Sequence, residues 1–125
     1  MKRVISSPLA PAAVGPYSQA IEANGTLYVS GQLPIDAKTG KFPEGGVKEQ
    51  IVQVFTNLGY VLKEAGYDFS NVVKTTVYLK DMGDFGLMNG IYAEYFTEPY
   101  PARVAYQVAE LPKGALVEAE VIAVK

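Results

Sequence analysis

The sequence predicts an α+β fold in which two helices cover one face of a mixed β-sheet, with elements in the order βββαβαββ. Three observations carry this. Asn24-Gly25 sits between two short β-prone runs, the strongest short-range hairpin signal a chain offers. From Val47 to Ala65 the apolar residues recur at helical spacing, and Gly66 closes the stretch. The β-branched run from Val72 to Tyr78 follows at once, so strands and helices interleave after the opening hairpin.

Taken in order, Val4-Ile5 predicts a short edge strand that the Pro8/Pro11 segment ends. Ala20–Ala23 and Leu27–Ser30 flank the Asn-Gly turn. The run from Gly31 to Gly46, with Pro34, Pro43, Gly40 and Gly45, reads as loop. In the first helix Val47, Ile51, Val54, Phe55, Leu58, Leu62 and Ala65 define one apolar face. A second helix is predicted over Phe85 to Phe96, with Asp84 as N-cap and Phe85, Met88, Tyr92 and Phe96 facing inward. Gly86 and Gly90 weaken its middle, and Pro99 and Pro101 stop it. Strands near Arg103–Ala109 and Leu116–Val124 finish the chain, with Leu111-Pro112-Lys113-Gly114 between them. A right-handed crossover makes the strand after Gly66 and the strand after Pro101 parallel.

Composition narrows the chemistry. The 125 residues suit one domain over positions 1–125, and 49% apolar with 19% charged residues is an ordinary globular balance. The net charge is -2 and the eleven Lys and Arg are scattered, so the basic stripe of a nucleic-acid binder is missing. With neither Cys nor His, the chain cannot build a disulfide, a thiol nucleophile, a Ser-His-Asp triad or a His metal site. No Asp-rich loop suggests a Mg²⁺ or Ca²⁺ site, and neither metal nor cofactor is expected. No apolar stretch approaches a membrane span and no long apolar segment opens the chain, so a soluble, cytoplasmic protein is expected.

Carboxylates, Arg, Tyr, Ser and backbone groups remain to carry chemistry. In the last strand, alternation puts Leu116, Glu118, Glu120, Ile122 and Val124 on one face. Ala115, Val117, Ala119, Val121 and Ala123 share the other, which is expected beneath the helices. A carboxylate on a half-buried face needs a partner, and Arg103 is the candidate, as a structural ion pair or as a co-functional residue. Gly15-Pro16-Tyr17-Ser18-Gln19 and Ser30-Gly31-Gln32-Leu33-Pro34 are by themselves turn chemistry. Tyr17 alone suggests core or interface, and Asn89 alone a solvated or capping amide. No Lys lies in an apolar run that would mark a Schiff-base former.

In combination these segments say more. Gly-Pro-Tyr-Ser-Gln-Ala at 15–20, Ser-Gly-Gln-Leu-Pro at 30–34, Pro-Ala-Arg, Leu-Pro-Lys-Gly and Val-Glu-Ala-Glu-Val-Ile-Ala occur in that order. Over roughly Ser6 to Val124 the chain resembles the Rid/YjgF family, and within it the imine-deaminase branch. The resemblance implies a chorismate-mutase-like fold whose last strand inserts between the third strand and the one after the first helix. It also implies a homotrimer with a central barrel and three interfacial clefts. Carried over by motif, Arg103 would hold a substrate carboxylate, assisted by the Ala105 N–H, and Glu118 would position or activate water. Tyr17, Ser30, Gly31 and Asn89 would line the cleft. The implied reaction is hydrolysis of small 2-imino or enamine acids to 2-keto acids and ammonia, without a cofactor. Some relatives carry Cys where this chain has Ala105, which leaves only a backbone role there. The alternatives are a non-catalytic trimer that binds small carboxylates and, against the acidic balance, an endoribonuclease or translation inhibitor.

Overall fold

The opening hairpin forms where the Asn24-Gly25 pair places it. In the computed structural model, which describes residues 1–125, both residues take positive φ (52° and 76°), and Ala23 pairs with Thr26 across them. Six strands form one sheet: β1 (Arg3–Ile5), β2 (Ala20–Ala23), β3 (Thr26–Gln32), β4 (Val72–Leu79), β5 (Ala102–Gln107) and β6 (Val117–Val124). Two helices, α1 (Val47–Glu64) and α2 (Phe85–Tyr95), complete the βββαβαββ order.

The sheet order is β1-β2-β3-β6-β4-β5. The last strand therefore lies between β3 and β4 and pairs antiparallel with both, while β4 and β5 run parallel at the far edge. The two final strands are not hairpin neighbours, in agreement with the arrangement expected above. Both helices lie on one face. On β6, Val117, Ala119, Val121 and Ala123 are buried beneath them, as the alternation required. The small Ala119 and Ala123 let α1 settle close to the sheet.

Most of the α1 face read from periodicity is sealed: Ile51, Val54, Phe55, Leu58 and Leu62 have no solvent exposure, and Val61 joins them. Phe55 meets Tyr92 and Phe96 of the α2 end edge-on and stacks on Tyr95, which fixes the two helices against each other. Truncating a ring so enclosed costs about 3–5 kcal/mol. Gly66, at φ +83°, ends α1.

Two polar residues buried on α1 were not legible in the periodicity, and both aim the site. Gln50 Oε1 accepts the Leu116 N–H (2.8 Å), which sets where β6 begins. Asn57 Nδ2 donates to the carbonyls of Leu33 and Ile35 (3.0 and 2.9 Å), tying down the loop after β3. Boundaries also moved. Gly31 and Gln32 extend β3 rather than opening a loop, because pairing with β6 resumes at Gln32, opposite Ala119, after a bulge that takes in Gly31. The Asp84 side chain makes no cap bond, since Asp81 caps the preceding turn instead. β5 starts and ends earlier than the apolar run suggested, and α1 stops at Glu64.

Candidate active site

Arg103 lies on β5 opposite Thr75 of β4, and Thr75 is buried beneath the helices. Residues opposite each other in a ladder share a face, so Arg103, Ala105 and Gln107 point to the helix side. There the Arg103 Nη1 donates to Asn89 Oδ1 on α2 at 2.7 Å. Its guanidinium carbon sits 4.8 Å from the centre of the Tyr92 ring and 5.5 Å from that of Phe85. A cavity of about 400 Å³ opens beside it, lined by Asn89, Tyr92, Ala93, Tyr100, Pro101 and Arg103.

β5 is the edge of the sheet. The Val108 N–H donates inward to Leu79 O (2.9 Å). Alternation then turns the N–H groups of Val104 and Tyr106 toward β4, and those of Arg103, Ala105 and Gln107 toward the free edge. The Ala105 N–H is thus open to a ligand on the side where Arg103 begins the strand.

Glu118 stands elsewhere. It is opposite Tyr78 in the β4–β6 ladder, on the face away from the helices. The expected Arg103–carboxylate pair therefore does not form within one chain: the two side chains leave the sheet in opposite directions, and the single ion pair of the molecule is Arg3–Glu22. Burial, and then the neighbouring Glu120 charge, push the Glu118 carboxyl above the ordinary Glu range. Glu120 in turn accepts a 2.5 Å hydrogen bond from the Tyr78 hydroxyl, which raises the Tyr78 pKa to about 12.

Gly31 explains the bulge. Between Val29 and Gln32 β3 carries one more residue than β6 does between Val121 and Ala119. A Cβ placed on Gly31 would collide with the Glu118 carboxylate, so the absent side chain is the space the carboxylate occupies. Ser30, beside it, is committed: its hydroxyl donates to Ser18 O (2.6 Å) and its N–H to Gln19 O (2.9 Å). Gln19 is buried and bonds Ser7 and Pro11, which anchors the segment presenting Tyr17. Tyr17 is exposed and, with Gly31, lines a second cavity of about 290 Å³.

Sequence reasoning nominated seven residues, and the structure places them in two groups. Arg103, Asn89 and Ala105 gather at the β5 edge under α2. Tyr17, Ser30, Gly31 and Glu118 gather around the β3 bulge. It missed Phe85 and Tyr92 as neighbours of Arg103, although Phe85, Asn89 and Tyr92 fall at helical spacing and share a stripe of α2. No cluster of three or more acidic side chains that could hold a metal ion occurs, and no helix is long and apolar enough to cross a membrane.

A family profile described as endoribonuclease L-PSP matches residues 7–125. A mouse protein named 2-iminobutanoate/2-iminopropanoate deaminase is 55% identical over all of this chain and 93% of its own length. Among solved structures, a Rid-family protein from Yersinia pestis superposes with a TM-score of 0.97 at 47% identity, covering all of both chains. TdcF from E. coli, solved with bound serine, gives 0.93 at 35% identity over 98% of each chain.

Proposed function

The chain belongs to the Rid/YjgF (endoribonuclease L-PSP) family, and on that footing we infer that it deaminates reactive 2-imino and enamine acids. Substrates of this class include 2-iminobutanoate and 2-iminopropanoate; the products are 2-keto acids and ammonia. The observation that carries the reading is the state of Arg103. A half-buried guanidinium borders a cavity, holds one neutral amide and has no carboxylate of its own. Such a group takes up a planar anion bidentately, and the open Ala105 N–H adds a donor.

The bound imino acid presents an electrophilic C=N carbon. Glu118, raised by burial, is suited to take a proton from water as it attacks and to return it to nitrogen. The C–O bond forms as the C=N π bond becomes an N–H. The resulting carbinolamine expels ammonia as its hydroxyl becomes the ketone. Orientation is the larger contribution, and one general base adds about 10²- to 10⁴-fold.

Because Arg103 and Glu118 of one chain face apart, the reaction requires two copies. We place the protein in a homotrimer of 125-residue domains, three sheets enclosing a barrel in chorismate-mutase-like fashion, with a cleft at each interface. One copy brings Arg103, Ala105 and Asn89; its neighbour brings Tyr17, Gly31 and Glu118, with Ser30 supporting Tyr17. The sheet face opposite the helices supports this. Tyr28, beside the half-buried Ile122, and Tyr106, beside Tyr78, are exposed there, more aromatic surface than a sheet in water ordinarily keeps.

The test is ammonia release from imines generated in situ by an amino-acid dehydratase or oxidase, with sedimentation to fix the assembly. Acceleration by wild type and none by Arg103→Ala is expected. Buffer-level rates for both, with the trimer intact, leave a carboxylate-binding module instead. Cleavage of RNA is the reading the family description raises. The net charge of -2 and the lack of histidine weigh against it, and salt-sensitive RNA binding by the purified protein would restore it.

A further inference from the structure

We propose that Tyr92, tethered by Thr75, is a positioning residue that fixes the plane of the Arg103 guanidinium for capture of a carboxylate. This rests on the carboxylate-binding role of Arg103 given above and goes beyond it. The only hydrogen bond Arg103 makes through its side chain is the one from Nη1 to Asn89 Oδ1. A single in-plane bond leaves the fork free to swing about it. The Tyr92 ring beneath, at 4.8 Å, and Phe85 at 5.5 Å remove that freedom. An acidic residue in the same place would also orient the guanidinium, but it would consume the charge and the donors. An aromatic face leaves both for the ligand.

Tyr92 is itself held from every side. It is buried, its ring meets Phe55 edge-on at 5.7 Å and lies 4.4 Å from Phe96. Its hydroxyl, which burial keeps neutral, shares a buried 2.8 Å hydrogen bond with Thr75 Oγ1. Thr75 is the residue directly opposite Arg103 in the β4–β5 ladder. The tether and the guanidinium thus spring from adjacent positions of one pair of strands, and a shift of α2 is corrected against the same reference that carries Arg103.

A purely structural Thr75–Tyr92 bond predicts a different outcome from a positioning one, and three variants separate them. Thr75→Val and Tyr92→Phe each strand one buried hydroxyl and lower thermal stability. The double variant removes both hydroxyls and regains stability, because no polar group is left unpaired. Affinity behaves otherwise. Each single variant is expected to raise KM and the Kd for 2-oxobutanoate about two- to tenfold with little change in kcat, the worth of one hydrogen bond. The double variant shows the same loss, since the pair shares one bond. Affinity that recovers together with stability in the double variant, or singles that bind as wild type does, would overturn the positioning role alone. Wild-type protein that neither deaminates imines nor binds 2-oxobutanoate in calorimetry overturns the deaminase reading, and this role with it.

Discussion

The two groups of site residues are built by opposite means. Around Arg103 the surroundings are aromatic, and the only polar partner is a neutral amide. Around Glu118 they are acidic: a second carboxylate lies nearby, a tyrosine hydroxyl is bound to that neighbour, and a missing side chain leaves room. The first environment keeps a fixed charge available and immobile. The second destabilises a negative charge, so burial and the Glu120 charge hold the Glu118 carboxyl above its ordinary value. An anion holder and a proton carrier, the roles proposed for Arg103 and Glu118, need such different settings, and the two faces of one sheet offer them. In the proposed trimer, assembly closes the distance between them.

The comparison breaks most visibly if each group is disabled alone. Glu118→Gln is expected to lower kcat about 10²- to 10⁴-fold while 2-oxobutanoate still binds, as product inhibition or calorimetry would report. Arg103→Ala is expected to weaken keto-acid binding at least about 10- to 100-fold, the worth of a hydrogen bond to a charged group, and to abolish acceleration because the imine is no longer held in place. Loss of keto-acid binding in Glu118→Gln, or its retention in Arg103→Ala, contradicts the division of labour. Mixing the two inactive variants under conditions of subunit exchange sharpens it further. If each cleft draws on two copies, about a quarter of the clefts in a random equimolar trimer regain both wild-type residues. Recovery of that order in a coupled ammonia assay supports the shared site, and no recovery places both groups within one chain's reach.

Gly31→Ala probes the space rather than the charge. The added methyl displaces the Glu118 carboxylate, and misplacing a reacting group by about 1 Å costs on the order of 10²-fold. The loss should fall on kcat and leave keto-acid affinity alone. The smallest effect is one of pH. Part of the upward shift of Glu118 comes from the charge of Glu120. The acidic limb of kcat/KM, which rises as Glu118 ionises, should therefore move to lower pH in Glu120→Gln. A pH–rate profile that stays in place assigns the limb to another group. Stability follows the same sign. A carboxyl raised in the folded state favours that state while protonated, and its contribution is lost as pH rises through the folded value.

How much was legible in the chain depended on whether the signal was local. The Asn24-Gly25 turn, the α1 stripe and the alternation in β6 each describe one element, and each appears in the structure within a residue or two. Arg103, Ala105 and Gln107 could be seen to share a face, and so could Glu118 and Glu120. What alternation left open is that Arg103 and Glu118 leave the sheet on opposite faces. That depends on register with β4: Thr75 opposite Arg103 and Tyr78 opposite Glu118 put the two on contrary sides. For the same reason Gln50 and Asn57 read as polar interruptions of a helix until the loops they hold were in place.

The sequence by itself determined the order of elements, the hairpin, the buried stripe of α1 and the inventory of groups able to do chemistry, because these follow from residue type and from periods of 2 and 3.6 residues. The insertion of β6 between β3 and β4 followed from the family resemblance and not from any local signal, and the tertiary structure alone decided the bulge that makes room for Glu118, the aromatic seat of Arg103 and the separation of the two. Each of those comes from pairing between segments far apart in the chain, where packing and hydrogen-bond satisfaction, not local preference, choose the partner.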